Sequence, residues 1–451
     1  MIFACSFLLV IVFGSFMLML PKATYSGINF TDALFTSTSA VCVTGLIVVD
    51  TGTYFTTFGQ LIILILIQLG GIGIMTFTSF FAYFFIGGSS FQSLIMLADL
   101  TNENKIALVI SSLKKILFFT FLVEAAICFL IYLSIRTGTG MNRQNPVFFS
   151  IFHAVSAFCN AGFSTISDSL YGMEFRYNYY LHVSVAFGFI IGGLGFPVMI
   201  NIYTAAKHGF LNMVYRIFRI GRGKYQLPVL TLNSKLVLYT TLILLVFGTI
   251  VFYFSEYNNT LGEHGGIGKI ITAFFGAATP RTAGFNTVDT AAIRIPTLML
   301  IIFLMWIGAS PGSTGGGIKT STLALGVLNV FSLARGKERI ELGHRQIHES
   351  SIRRSFAFMF LSLLVIGLGT LSLFIAEPDK QATDLIFEVF SAFSTVGLSR
   401  GITGDLSQAG KAIIICTMFI GRVGALTLLL SIIRKTARRF IQYPTEGILI
   451  N

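Results

Sequence analysis

Long apolar stretches separated by short polar ones dominate this chain. Apolar runs cover Ile2–Leu20, Leu61–Ile86, Ile116–Ile135, Val183–Ile202, Leu236–Phe254, Leu298–Ile307, Phe356–Ile375 and Ala412–Ile433. A helix rises about 1.5 Å per residue, so roughly 20 residues cross a bilayer core about 30 Å thick. Seven of the eight runs meet or approach that length; the sixth is short and continues into GASPGSTGGGIKT. The pattern predicts a polytopic α-helical membrane protein with no room for a sizeable soluble domain. Residues 1–20 lack a basic n-region and end at Pro21-Lys22 without a small-x-small cleavage pattern, so they read as a first span rather than a signal peptide. The chain opens almost inside the bilayer, which leaves room for a natural tail before Met1.

Four shorter, moderately apolar segments lie between the runs: FTDALFTSTSAV (30–41), PVFFSIFHAVSAF (146–158), IGKIITAFFGAA (267–278) and ATDLIFEVFSAF (382–393). Each leads into a glycine stretch: SAVCVTGLIV at Gly45, SAFCNAGFST at Gly162, ATPRTAGFNT at Gly284 and SAFSTVGLSR at Gly397. The glycines are 117, 122 and 113 residues apart, and Phe35, Phe152, Phe274 and Phe387 each stand ten residues before one of them. That register marks an internal repeat. A dozen helical residues reach only about 18 Å, so each short segment enters and leaves from the same side as a re-entrant half-helix. The expected fold is an all-α polytopic membrane protein with four tandem span–pore-helix–span units around a pseudo-fourfold central pore. The units divide as 1–86, then 87–207 and 208–330, each led by a cytoplasmic linker, and 331–451 with linker and C-terminal tail.

Non-helical backbone is tolerated at membrane depth only where it is buried in protein or lines water. Rings of backbone carbonyls can replace the hydration shell of a monovalent cation, and glycine supplies the unusual φ that turns carbonyls toward an axis. The negative ends of the half-helices would add to the attraction. The candidate filter is therefore Val43, Thr44, Gly45; Asn160, Ala161, Gly162; Thr282, Ala283, Gly284; and Thr395, Val396, Gly397. No carboxylate lies within two residues of the four glycines, which excludes an acidic-ring filter.

The stretch Trp306–Thr322 cannot continue a helix, because Pro311 and five glycines from Gly308 onward interrupt it. Gly312–Thr320 resembles a phosphate loop, but Ile318 separates the last glycine from Lys319 and the flanks are spans, so a nucleotide site is rejected. A packing kink and a flexible loop across the pore remain as readings. Arg422 lies mid-span, where a charge costs on the order of 3 kcal/mol and usually faces a cavity or partner. The candidate gate comprises Gly312, Ser313, Thr314, Gly315, Gly316, Gly317, Lys319 and Arg422. Glu124, the acidic residue mid-span, receives no role.

Composition narrows the function. Of 451 residues 54% are hydrophobic and 11% charged, far below the roughly 25% charged of soluble domains. Stretches 87–115, 207–235, 331–354 and 434–451 hold 19 Lys and Arg against 6 acidic residues, and the opposite side 10 against 12. The positive-inside rule makes the first set cytoplasmic, so the net charge of +12 is a topology signal rather than a nucleic-acid footprint. The cysteines form no paired spacing, and His153 and Cys159, six residues apart, are the nearest thing to a catalytic pair. An enzyme is not indicated. An alternating-access carrier predicts inverted or paired repeats, whereas four same-orientation units predict a pore.

With QLGGIGIMTF (68–77) and IIGGLGFPVMI (190–200), the filter stretches, the broken third unit and Arg422, the chain resembles the Trk/Ktr/HKT superfamily of potassium transporters. Within it the length and the closing YPTEGILIN are most similar to the KtrB-type membrane subunit of Ktr systems. The resemblance implies K⁺ selectivity, because all four filter glycines are present. It also implies that Gly312–Thr320 is an intramembrane gating loop beside Arg422. It further implies a homodimer in the cell membrane with cytoplasmic termini, docked on a ring of nucleotide-binding regulatory (KtrA/TrkA-like) subunits. ATP/ADP or NAD would then bind the partner and no cofactor this chain, with K⁺ as the transported ion and Na⁺ activation left open. The alternative within the superfamily is a Na⁺/K⁺ or H⁺/K⁺ coupled carrier.

Overall fold

The computed structural model describes residues 2–86, 105–136, 145–217, 230–337, 339–342 and 345–424. The apices of the first two basic linker stretches (87–104 and 218–229) and the tail with YPTEGILIN lie outside the described residues, as do residues 425–433 of the last expected span. The described chain is helical apart from loops and a small antiparallel hairpin, β1 (Glu341–Leu342) with β2 (Arg345–Gln346), in the third basic stretch.

The first unit comprises α1 (Ile2–Leu18), α2 (Phe30–Val41) and α3 (Thr57–Ile86). The second comprises α4 (Lys105–Arg136), α5 (Pro146–Phe158), α6 (Tyr179–Leu194) and α7 (Phe196–Ile217). The third comprises α8 (Leu232–Glu256), α9 (Ile267–Ala278), α10 (Ile295–Trp306) and α11 (Thr320–Ala334). The fourth comprises α12 (Glu349–Ala376), α13 (Ala382–Phe393) and α14 (Gln408–Val423). Among the described residues α4, α8 and α12 are individually long and apolar enough to cross a bilayer, and the bent pair α6–α7 makes a fourth. Their outward faces expose Phe118, Leu242, Phe254, Phe360 and Ile375, as lipid-facing surfaces do.

The four short segments are the half-helices α2, α5, α9 and α13, of 12, 13, 12 and 12 residues. Local chemistry starts α5: Asn145 accepts a hydrogen bond from Val147 N at 3.0 Å, and Pro146 occupies the first turn, where its missing N–H is harmless. Packing then arranges the set. Besides its own unit, α2 touches α14, α5 touches α3, α9 touches α6 and α13 touches α10, so each half-helix meets the second span of the preceding unit. That cyclic order is a pseudo-fourfold ring. Within a unit, glycines of the second span let its own half-helix close in. A Cβ on Gly70, Gly192 or Gly421 would stand 2.0, 1.9 and 1.9 Å from the carbonyl oxygens of Val41, Phe158 and Phe393, the last residues of three half-helices.

Two features depart from the repeat read in the sequence. The run Val183–Ile202 is not one straight span: α6 and α7 meet at an angle of 102° at Gly195, whose φ is +84°. The bend is held by the third unit, since Phe196 N donates to Gly312 O at 3.1 Å and Ser310 N to Gly193 O at 2.9 Å. In the third unit, six residues rather than four separate the half-helix end from the glycine, because Thr279–Arg281 add a turn. The phenylalanine register also slips, by one residue toward the glycine. Phe35, Phe152 and Phe387 are fully buried, whereas Phe274 is partly exposed and Phe275 takes the buried place.

Candidate functional site

The backbone after each half-helix follows one plan. Val43, Asn160, Thr282 and Thr395 have φ of +54°, +61°, +76° and +50°, and the glycines two residues later have +91°, +70°, +77° and +88°. The first of these left-handed residues closes the helix. In the first unit Val43 N donates to Ala40 O at 3.1 Å and Thr44 N to Ser39 O at 2.8 Å, satisfying carbonyls of the last turn. The second and fourth units repeat the pattern at Asn160–Ala161 and Thr395–Val396. Such a C-cap residue is usually glycine; β-branched Val43, Thr282 and Thr395 hold it at a cost of about 1–3 kcal/mol each. Sequence reasoning placed one unusual φ per stretch, at the glycine. The structure has two, and a left-handed residue on either side of an ordinary one rotates successive peptide planes alike.

The stretches then close on one another. A Cβ on Gly45 would stand 2.3 Å from Ala161 O, on Gly162 2.9 Å from Ala283 O, on Gly284 2.3 Å from Val396 O, and on Gly397 2.1 Å from Thr44 O. First meets second, second third, third fourth and fourth first. Side-chain hydroxyls brace all four stretches: Ser39 and Ser391 accept from Gly45 N and Gly397 N at 3.1 Å, and Ser156 and Thr279 donate to Phe163 O at 2.7 Å and Phe285 O at 2.5 Å. In the second unit His153, fully buried, lies within hydrogen-bond reach of Phe149 O (Nδ1, 2.9 Å) and Ser164 Oγ (Nε2, 3.0 Å). Its Nδ1–H has a carbonyl to donate to, so its Nε2 accepts from the Ser164 hydroxyl. This is the work of a satisfied structural histidine.

The broken stretch of the third unit lies against the inner edge of this ring. Residues 308–317 fold back on themselves through Ala309 N to Gly316 O (3.3 Å) and Ile318 N to Trp306 O (3.1 Å). A Cβ on Gly315 would be 2.1 Å from Thr282 Oγ1, and on Gly316 2.3 Å from Thr395 Oγ1. The Asn160 amide lies 2.9 Å from Thr282 Oγ1; with its oxygen accepting there, its nitrogen donates to Ala157 O (3.2 Å) and Phe189 O (3.0 Å). Thr314 Oγ1 donates to Phe158 O at 3.2 Å. Arg422, buried, donates to Thr314 O and, at 3.2 Å, to Gly70 O of α3, while Lys319 Nζ reaches Gly315 O at 2.6 Å. The arrangement ties the loop to three units at once.

All twelve filter candidates and the eight gate candidates therefore meet at one place. Sequence reasoning passed over Arg281, buried in the third stretch, and Glu388, buried in α13 with Thr403 donating to it. It also left Glu124 alone, whose two carboxylate oxygens accept from Gln68 Nε2 at 3.0 and 3.1 Å. Aligning the four stretches on their glycines and asking which carried a charge before the glycine would have found Arg281.

A family model described as TrkH, cation transport protein, matches residues 1–441. The chain belongs to the TrkH family. Members of this family are cation transport proteins rather than enzymes, and the apolar helices fit a membrane protein. Among the family's members, the Ktr system potassium uptake protein B of Bacillus subtilis (strain 168) is 37% identical over 98% of this chain and 94% of its own length. The potassium/sodium uptake protein NtpJ of Enterococcus hirae is also 37% identical, over 99% of this chain and 96% of its own. The crystal structure of the potassium transporter TrkH from Vibrio parahaemolyticus covers 95% of this chain and 83% of that one, with a TM-score of 0.74 at 19% identity, which establishes the shared fold.

Proposed function

We propose that this chain is a channel-like K⁺ uptake subunit of the plasma membrane. Carbonyls of Val43–Gly45, Asn160–Gly162, Thr282–Gly284 and Thr395–Gly397 replace the ion's water, and the loop 312–317 with Lys319 and Arg422 forms a barrier below. The closed ring of four glycines, each behind a second left-handed residue, carries this reading. Carbonyl rings desolvate a cation without burying a full counter-charge. The Bacillus subtilis relative named for potassium uptake supports the ion. The same relative is named for a Ktr system, which supports a multi-component assembly; the homodimer, its cytoplasmic nucleotide-binding partner and the cytoplasmic termini belong to this proposal through the sequence resemblance.

The barrier is testable. With the loop pinned by Arg422 to α3, Arg422→Ala or shortening of Gly312–Gly317 should raise ⁸⁶Rb⁺ flux into K⁺-loaded liposomes about tenfold or more. Unchanged flux in both variants would discard the barrier. The relative named for potassium and sodium uptake gives a coupled carrier a specific footing. That reading requires uptake to saturate at carrier turnover and to depend on a Na⁺ gradient, which the same vesicles measure.

A further inference from the structure

Arg281 lies three residues past the end of α9 and directly before Thr282 of the ring. It is 9% exposed. Its Nη2 donates to Thr241 Oγ1 of α8 at 3.4 Å, its backbone N to Ala278 O at 3.1 Å, and its Nε has no partner. Among the described residues no carboxylate forms an ion pair with it. A guanidinium held at bilayer depth without a counter-ion is costly, and an apolar side chain of like volume would fill the space more cheaply. The residues that stand directly before the first left-handed position in the other quarters are Cys42, Cys159 and Ser394, none of them cationic.

Arg281 thus puts a fixed positive charge at the C-terminal end of α9, which no other described cation touches, while Arg422 stands beside the ends of α2 and α5 through Gly70 O and Thr314 O. We infer that Arg281 sets cation affinity at the inner end of the filter. Its charge offsets the dipole of α9 and lowers occupancy, so that a bound ion is weak enough to leave. The effect acts through the field, without contact with the ion. This rests on the reading of the ring as a K⁺ filter.

Because the interaction scales with ionic charge, valence separates a field from a packing defect. Purified protein in liposomes is assayed for ⁸⁶Rb⁺ uptake with K⁺ or Ba²⁺ as competitor. Arg281→Gln should tighten half-inhibition by K⁺ about threefold and by Ba²⁺ about tenfold, the square of the first. Arg281→Lys, which keeps the charge, should leave both within about twofold of the parent. Should Arg281→Gln misfold, Arg281→Met removes the charge with no polar group to bury and carries the same expectation. Equal changes for the two competitors, no change, or an Arg281→Lys variant that behaves like the neutral ones would overturn the inference. Failure of the parent protein to take up ⁸⁶Rb⁺ at all would instead strike at the filter reading.

Discussion

Alanine placed at each ring glycine in turn perturbs four positions that share a backbone conformation but differ in space. All four glycines have φ between +70° and +91°, so each substitution carries the same left-handed penalty of about 1–2 kcal/mol. The added contact differs. Ordinary contact begins near 3.4 Å, so the facing carbonyl must retreat by about 1.3 Å for Gly397, about 1.1 Å for Gly45 and Gly284, and about 0.5 Å for Gly162. The obstacle is backbone in every case, so no flexible side chain can turn aside. A retreat of about 1 Å removes an oxygen from a cation's coordination shell, whereas half of that distorts it. Competition of Na⁺ against ⁸⁶Rb⁺ uptake, with thermal unfolding in detergent as a control for folding, should show discrimination falling about tenfold or more in Gly397→Ala, Gly45→Ala and Gly284→Ala. Gly162→Ala should lose clearly less. If Gly162→Ala proved as damaging as Gly397→Ala, or if Gly397→Ala discriminated within twofold of the parent, the closed-ring argument would be refuted.

Two further expectations concern the outer side. His264, in the loop before α9, accepts or donates at Tyr179 OH at 3.1 Å, and burial pushes its imidazole below its ordinary value. The folded state thus prefers neutral His264: stability is complete above the unfolded pKa of about 6.5 and declines as pH falls below it, levelling at the lower folded value. Thermal unfolding between pH 7.5 and 5 should show that loss in the parent and a smaller one in His264→Gln; equal pH dependence in both would reject it. Lys411 of α14 pairs with Asp32 of α2 at 2.7 Å with both side chains mostly buried, joining the fourth unit to the first. A double-mutant cycle with Lys411→Met and Asp32→Asn should give a coupling of about 1 kcal/mol, and a value near zero would remove this pair from the ring's closure.

The apolar runs, the four half-helices and the glycine register were legible in the chain because each rests on local pattern: span length on the count of apolar residues, re-entrance on segments too short to cross. The twelve filter candidates followed from repetition alone. Charge was legible where it broke an apolar run, as at Arg422, and was missed where it stood in a loop, as at Arg281. Gly195 looked like any glycine in an apolar run. Its bend depends on Gly312 and Ser310, more than a hundred residues away, and no local window contains them.

By itself, then, the sequence determined a membrane-spanning chain of four related units, each with a half-helix ending at a stretch that needs glycine. Tertiary structure alone decided how the quarters meet. The closing order of the ring and the seating of the loop on Thr395 and Phe158 arise between units, while the second left-handed residue at Val43, Asn160 and Thr395 caps the half-helix of its own unit. The physical reason is that contacts between residues more than a hundred positions apart are set by packing, and that packed setting lets a residue such as Val43 keep the unfavourable φ of its helix cap. Local propensity argues against that conformation, and the assembled ring overrules it.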